Sequence, residues 1–255
     1  MLISFFYLSR LLRSVALVSF LLLYSFCVAF GQISTTPSSY PYPAVNFVYT
    51  QNFSNLPIIS TYASGITGKG PYYLGSLHPG LNGFFIAQTT GSNAALNFAT
   101  GSGSNTVAGI FSYGANNGPS RGLGSLASSA GSYVFGISFA NTTNTVIDQF
   151  EIEFTAAQWR KGGSGRINEW TFMYHTSSTN NVLDTLTKKD TTLNFTSVQT
   201  STGTAALNGL LTINQQQKKD TLFNLNWKPG EQLILKWQDK DDIGNDDGMA
   251  LQQLI

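Results

Sequence analysis

Hydrophobic and polar residues alternate along the chain most clearly over Ser132–Arg160. Apolar side chains occupy every second position of 133–139 and return with strand-like spacing over 147–154. Successive side chains of a strand point to opposite faces, so each run predicts a strand with one apolar and one polar face. The Asn141–Asn144 stretch between the runs is typical of a turn. We therefore predict an antiparallel hairpin at the centre of the fold.

Shorter runs of the same kind recur through the chain, separated by residues that favour turns. The pattern lacks the amphipathic helices that a βαβ architecture needs between its strands. Many short strands divided by turns predict an all-β fold, an antiparallel β-sandwich of jelly-roll type. The further predicted strands, or their flanks, lie at 47–49, 84–88, 95–98, 107–113, 170–174, 193–198, 206–213, 233–237 and 249–255.

The first thirty residues differ from this pattern. Arg10 and Arg13 precede an uncharged apolar run from Val15 to Phe30, and small residues follow where a signal peptidase cuts. This predicts a secretory signal peptide over residues 1–31. The alternative is an uncleaved membrane anchor, but the run is shorter than the ~20 apolar residues that a spanning helix needs.

Beyond the leader, residues 32–45 are rich in Ser, Thr and Pro, which predicts an extended linker. The β-sandwich domain is expected over residues 46–255. The single cysteine, Cys27, lies in the leader, so we expect neither disulfides nor thiolate metal sites in the mature chain.

Composition agrees with a secreted β-rich protein and excludes some partners. Aromatic residues make up 13% and charged residues 11% of the chain. Loss of the leader leaves 12 basic against 13 acidic residues, so the formal net charge moves from +1 to −1. Basic residues are few and are not clustered with aromatic ones, which argues against a nucleic-acid partner. The pairs Lys188–Lys189 and Lys218–Lys219 are interpreted as solvated loop or edge charges.

The loop between the last two predicted strands is acidic and holds five of the chain's thirteen acidic residues within nine positions. Like charges this close repel one another, and a hard cation with oxygen ligands would relieve the repulsion. The spacing is not that of an EF-hand, because Ile243 stands where that loop needs an oxygen ligand. Calcium is therefore the candidate cofactor, and a solvated acidic turn is the alternative. The candidate metal ligands are Asp239, Asp241, Asp242, Asp246 and Asp247.

Three residues near the central strands are candidates for ligand binding. Arg121 lies in a glycine-rich stretch, and its planar guanidinium can anchor a carboxylate of the acidic loop or contact a ligand. Trp159 and Arg160 end a predicted strand, where the indole can stack on a sugar or pack into the core. A purely structural role is the alternative for each of the three.

Catalytic groupings are poorly supported. His78 and His175 are far apart, and no nucleophile-elbow motif accompanies them, which argues against a catalytic triad and against zinc. Glu151 and Glu153 share one strand face roughly 7 Å apart by strand rise, which is within the range of glycosidase carboxylate pairs. Two solvent-facing acids on a polar strand face are the simpler interpretation.

The Arg-Gly-Leu-Gly motif of Arg121–Leu126 and the Gln-Trp-Arg motif of Gln158–Arg160 carry a family resemblance. They resemble secreted bacterial β-sandwich modules of the Bacteroidetes and Planctomycetes type. Such modules occur in surface proteins, with C-terminal sorting signals or beside secreted enzymes. The resemblance covers nearly all of 46–255 and implies an extracellular, non-catalytic module. The other segments that carry it are Phe53–Pro57, Phe111–Gly114, Phe139–Asn141, Trp237 and Asp246–Leu251.

The end of the chain departs from the family pattern. Family members continue with two aspartates and a last strand, whereas Gln252 and Gln253 stand at those positions and the sequence stops at Ile255. A role that needs the aspartates is not expected here. The abrupt end is compatible with a domain truncated at its C-terminus.

These observations predict a secreted, extracellular or cell-surface, non-catalytic β-sandwich module. It is expected to bind glycan or surface polymer, with an extracellular polysaccharide or cell-surface component as partner, or to act as an adhesion or spacer domain. One alternative is a secreted carboxylate-dependent glycoside hydrolase. Another is a structural surface domain stabilised by calcium. No membrane span is expected in the mature chain.

Overall fold

The structure is a computed structural model that describes residues 33–59 and 66–255. The predicted signal peptide, residues 1–31, lies outside the described residues, and residues 32–255 form a unit of their own. Short 3-10 helices occupy Leu74–Ser76, Pro79–Leu81, Thr191–Leu193 and Thr212–Asn214. The strands are β1 (Tyr40–Tyr42), β2 (Tyr72–Tyr73), β3 (Phe84–Thr90), β4 (Phe98–Gly101), β5 (Gly109–Gly114), β6 (Arg121–Leu126), β7 (Ser132–Asn141), β8 (Ile147–Lys161), β9 (Glu169–Ser177), β10 (Lys188–Lys189), β11 (Phe195–Thr196), β12 (Ala205–Ala206), β13 (Gln215–Trp227), β14 (Gln232–Asp239) and β15 (Gly248–Leu254).

Two sheets pack face to face, which confirms the predicted β-sandwich. The first sheet has the strand order β10-β9-β14-β7-β3-β2, with β1 beside β7 and β11 beside β9. The second has the order β12-β8-β15-β6-β5-β4, with β13 beside β8. Among these pairs, β1 with β7 and β4 with β5 are parallel and the others are antiparallel. No helix in the described part of the chain is long and apolar enough to cross a membrane.

The predicted central hairpin is wrong in its pairing, although both of its strands exist. β7 pairs with β3 and β14 in the first sheet, whereas β8 pairs with β13 and β15 in the second. The 142–146 connection therefore crosses between the sheets. Asn141 supports it by donating from Nδ2 to the backbone oxygens of Thr145 at 2.9 Å and Trp227 at 3.0 Å. Alternation shows which side of a strand faces the core, but it does not show which strand lies alongside.

The segment predicted as a linker is part of the domain. Ile33 and Tyr42 are buried, and β1 pairs with the end of β7. Asn180 also donates from Nδ2 to the Ser38 backbone oxygen at 3.0 Å. A Ser/Thr/Pro-rich composition favours extended backbone, and here that backbone adds a short strand to the first sheet. The strand predicted at 47–49 instead has no regular structure.

The longest strand that the sequence pattern missed is β13, because its Gln- and Lys-rich first half lacks apolar alternation. β8 pairs with β15 along one side and with β13 along the opposite side, so β13 forms an edge of the second sheet. Lys218 and Lys219 lie on it, so they are edge charges, one of the two settings expected for them. Lysine on an edge strand opposes pairing with the edge of another molecule.

Trp237 on β14 lies at the centre of the space between the sheets and is fully buried. Its ring stacks on Phe135 with centroids 6.1 Å apart and meets Phe172 at 5.4 Å, both from the first sheet. It also meets Phe154 of the second sheet edge-on at 5.3 Å. One side chain therefore joins three strands across both layers of the sandwich.

We expect Trp237→Ala to lower the free energy of unfolding by about 3–5 kcal/mol, because it leaves a cavity between the sheets. Urea unfolding followed by circular dichroism measures this loss. Trp237→Phe, which keeps an aromatic ring, is the control and should lose less. A loss below about 1 kcal/mol for the alanine variant would mean that the core closes without this side chain.

Candidate functional site

The acidic loop joins β14 to β15 and packs back onto the domain. Asp239 at its start is 2% exposed, and Asp246 and Asp247 at its end are 5% and 3% exposed. Asp241 is exposed and Asp242 is half-buried. The five candidate metal ligands therefore divide into a buried set and a solvent-facing set.

Asp247 anchors this loop. Its carboxylate accepts hydrogen bonds from the Gly162 N–H and the Ser197 hydroxyl, both at 2.5 Å. Its own N–H donates to Asn168 Oδ1 at 2.7 Å. Asn168 Nδ2 in turn donates to Asp246 Oδ1 at 3.3 Å. The loop thus ties the start of β15 to the connection after β8 and to the segment after β11.

Burial changes the protonation of these carboxyls. It raises the pKa of Asp239 to about 7, although Ser125 Oγ donates to Asp239 Oδ2 at 2.7 Å. Burial, followed by the nearby charge of Asp239, raises the pKa of Asp246 to about 8. Burial also raises the pKa of Asp247. Protons therefore relieve part of the repulsion in this cluster near neutral pH, as a cation would.

Within 33–59 and 66–255, no group of three or more His, Cys, Asp or Glu side chains is arranged to hold a metal ion. The carboxyls of Asp239 and Asp247 are directed at separate protein donors. Calcium at the loop stays a prediction, and the ligands would have to rearrange to bind it.

Arg121 lies at the start of β6, 2% exposed. Its Nε donates to Ser112 Oγ at 2.9 Å and its Nη1 to the Ala115 backbone oxygen at 2.8 Å, while its Nη2 donates to the Ser112 backbone oxygen. These partners belong to β5 and the loop after it. The predicted carboxylate from the acidic loop is not among them, so the guanidinium fixes the β5–β6 connection.

Trp159 is 2% exposed and its ring stacks on Tyr113 at 6.0 Å, under the chain at Gly209. A buried indole has no free face for a sugar, so the structure favours the core role. Arg160 is half-buried beside Gly248, and its charge partly opposes the rise in the pKa of Asp247 that burial causes. The three residues proposed as ligand-binding do not form one surface.

His175 lies on the first sheet, away from the acidic loop. It is 7% exposed, and its Nε2 is 3.2 Å from the Asn181 backbone oxygen. Burial, followed by the nearby charge of Lys236, lowers its pKa. Lys236 itself donates from Nζ to the backbone oxygens of Val182 at 3.2 Å and Asp184 at 2.6 Å. Both residues hold the 178–187 segment on the sheet.

A cleft of about 360 Å³ opens beside the first half of β8. The 46–49 segment forms one wall, β8 forms the other, and Leu254 and Ile255 close one end. Tyr42, Phe139 and Phe150 form an aromatic floor, with ring centroids 5.6 to 6.4 Å apart. Pockets of this size lined by aromatic groups and a few polar ones are typical of small-molecule sites.

The rim of the cleft combines polar groups with exposed apolar side chains. Glu151 and Glu153 both lie within 3.5 Å of Lys219 Nζ, across β8 and β13. Val48 is 68% and Phe223 57% exposed at the same rim. The cleft thus offers an exposed aromatic ring next to two carboxylates.

Backbone groups of β8 add to this rim. β15 pairs with β8 only as far as Glu153, whose N–H and carbonyl bond to Ile255 at 3.0 and 2.7 Å. In an antiparallel ladder, alternate residues point toward the same neighbour. The N–H and carbonyl groups of Glu151 and Gln149 are therefore directed into the cleft.

A polar groove continues from the cleft past Tyr49, which borders both. Its two parts, of about 580 and 500 Å³, meet at Asn52 and Gln253. Arg121 and Gln252 line the far part, so the groove brings together two regions that the sequence singled out. Neither cleft nor groove could be located from the sequence, because residues distant in the chain form both. The aromatic residues over 40–49 were the available signal.

Comparisons with known proteins identify no family. No family model matches the chain, and no curated protein matches it. One similar solved structure is TmCBM61 with β-1,4-galactotriose, at 6% identity over 68% of this chain and 87% of that chain, with a TM-score of 0.31. Another is tailspike protein 4 of bacteriophage CBA120, at 11% identity over 68% and 19%, with a TM-score of 0.32.

A third similar structure is the glycoside hydrolase domain of Endo-D from Streptococcus pneumoniae, at 13% identity over 81% of this chain and 27% of that chain, with a TM-score of 0.33. These scores are too low to name a relative of the chain. The β-sandwich fold is established by the strand pairing described above.

The buried carboxyls predict that stability depends on pH. A carboxyl whose pKa is raised on folding stabilises the protein below its unfolded value, and this contribution is lost as pH rises through the folded value. With folded values of about 7 and 8 for Asp239 and Asp246, the melting temperature should fall between about pH 5 and pH 8. Asp246→Asn should reduce this fall, and the exposed Asp148→Asn should not. A melting temperature that is constant or rising over this range would contradict the prediction.

The calcium prediction has a separate test at pH 8, where protons compete least. If calcium binds, the melting temperature should be higher in calcium than in EDTA. At a calcium concentration a hundred times the dissociation constant, binding adds about 2.7 kcal/mol to the free energy of unfolding. Asp246→Asn should remove that increase. Equal melting temperatures in calcium and EDTA would exclude a stabilising calcium site.

Proposed function

We propose that this protein is a secreted, non-catalytic module that binds glycan chains at the cleft beside β8. The aromatic cleft with its carboxylate rim is the observation that supports this function best. A sugar ring has an apolar C–H face and a periphery of hydroxyl groups, so it needs an apolar surface next to hydrogen-bonding groups. The cleft supplies both in one place.

Each part of the cleft has a role in this proposal. The exposed ring of Phe223 offers a face on which a sugar can stack. Glu151 and Glu153 are acceptors for sugar hydroxyl groups, and hydrogen bonds to ionised groups are stronger than neutral ones. Lys219, bound to both, fixes their positions. The backbone groups at Gln149 and Glu151 provide further donors and acceptors.

Hydrolysis is the competing function, because the two carboxylates lie together at the cleft. In this protein both are bound to one lysine, and Gln217 Nε2 also donates to Glu153. A glycosidase needs one carboxyl that is placed to donate a proton to the leaving group, whereas both carboxylates here are paired with the same ammonium group. This arrangement supports binding over acid catalysis.

We expect the purified protein to bind polysaccharide in a glycan-array screen, and Phe223→Ala to weaken that binding about tenfold, or about 1.4 kcal/mol. Isothermal titration calorimetry with the best glycan of the array measures the change. Leu186→Ala is the matched control, because Leu186 is an 86% exposed apolar residue in the loop between β9 and β10, outside the cleft.

Two results would contradict this proposal. Folded protein that retains no glycan, or that binds an extended peptide at the cleft instead, would remove the glycan-binding function. Release of reducing sugar that is abolished in Glu151→Gln and Glu153→Gln would make the protein a hydrolase.

A further inference from the structure

The polar groove beyond Tyr49 is lined by amide and hydroxyl groups that the fold does not use. Asn52, Asn55 and Gln253 are exposed. Gln252 Nε2 is buried against the groove without a hydrogen-bond partner among the described residues. A buried amide without a partner is costly, and a ligand hydroxyl at this position would satisfy it.

Other polar groups nearby are already engaged and shape the groove. Gln51 Nε2 donates to the Gly80 backbone oxygen at 2.6 Å, and Gln51 Oε1 accepts from the Phe53 N–H at 2.7 Å. These bonds fix the 51–53 segment as a wall. Asn52 uses its Oδ1 as acceptor from the Ser54 N–H at 3.1 Å, so its Nδ2 stays directed outward as a donor.

The charges along this surface discriminate between ligand classes. The groove lining contains one charged residue, Arg121, and its guanidinium nitrogens are donating to Ser112 and Ala115. The cleft that the groove joins carries two carboxylates against a single lysine. An anionic chain would find no free cation in the groove and net negative charge in the cleft. Amide groups both donate and accept, as sugar hydroxyls require.

We infer that the cleft and the groove form one extended site for a linear, uncharged polysaccharide. This inference rests on the proposed function. It adds the class of polysaccharide that binds and a second set of contacts, in the groove. The cleft binds one or two sugars against the aromatic side chains. The groove binds the following sugars of the same chain through Asn52, Gln252 and Gln253.

Affinity electrophoresis of the full protein tests the charge class. Gels contain galactan, mannan, xylan or laminarin as uncharged chains, and alginate or polygalacturonate as anionic ones. We expect at least one uncharged polysaccharide to retard the protein and both anionic ones to leave its mobility unchanged. Stronger retardation by an anionic polysaccharide would overturn the inference.

The groove is tested with the double variant Asn52→Ala/Gln253→Ala, titrated with the retarding polysaccharide and with its disaccharide. We expect binding of the polymer to weaken about tenfold and binding of the disaccharide to stay unchanged, because the disaccharide occupies the cleft alone. Phe223→Ala should weaken both. Asn181→Ala, which removes an exposed amide in the loop between β9 and β10, is the control and should weaken neither.

The outcomes separate the two proposals. Normal polymer binding by the groove variant, together with weak binding by Phe223→Ala, would overturn the extended site and leave the cleft as the glycan site. Absence of binding by the wild-type protein to every polysaccharide tested, uncharged or anionic, would overturn both. Circular dichroism shows whether each variant is folded.

Discussion

The packing of aromatic side chains between the two sheets is the interaction on which the remaining structure depends. Trp237 contacts Phe135, Phe172 and Phe154, so the first sheet and the second are fixed at the same point. Every strand that contributes side chains to the core between the two sheets must direct its apolar face toward that core. The outward positions of the same strands are then free for polar groups, and the polar rim of the proposed ligand surface is built from those positions.

The position of β8 shows how the core and the surface are connected. Ile152 and Phe154 are buried in the core, while Glu151 and Glu153 alternate with them on the outer side. β13 pairs with one side of β8 from Ile147 to Ala157, and β15 pairs with the other side from Arg160 to Glu153. The rest of that edge faces the aromatic side chains of 42–49 and of β7. The cleft lies between this part of β8 and those aromatic side chains.

The sequence predicted the fold class well because alternation is local, and it predicted strand neighbours poorly because pairing is not. β7 and β8 were assigned correctly as strands, yet they lie in opposite sheets. The same limit applies to the site. Arg121 and Trp159 stood out by residue type, but burial uses both within the fold. Phe223 has no such local signal, because its strand begins with glutamines and lysines.

Distance separates the two unusual electrostatic features of this domain. The cleft lies at the start of β8, and Gly162, which donates to Asp247, follows its end. The eleven residue-to-residue steps from Gln149 to Arg160 span about 35 Å at strand rise. That is several times the Debye length of about 8 Å at physiological salt. Titration of the buried aspartates therefore acts on the stability of the loop before β15 and leaves the charge at the cleft unchanged. A pH effect on stability and a pH effect on binding would have separate origins in this protein.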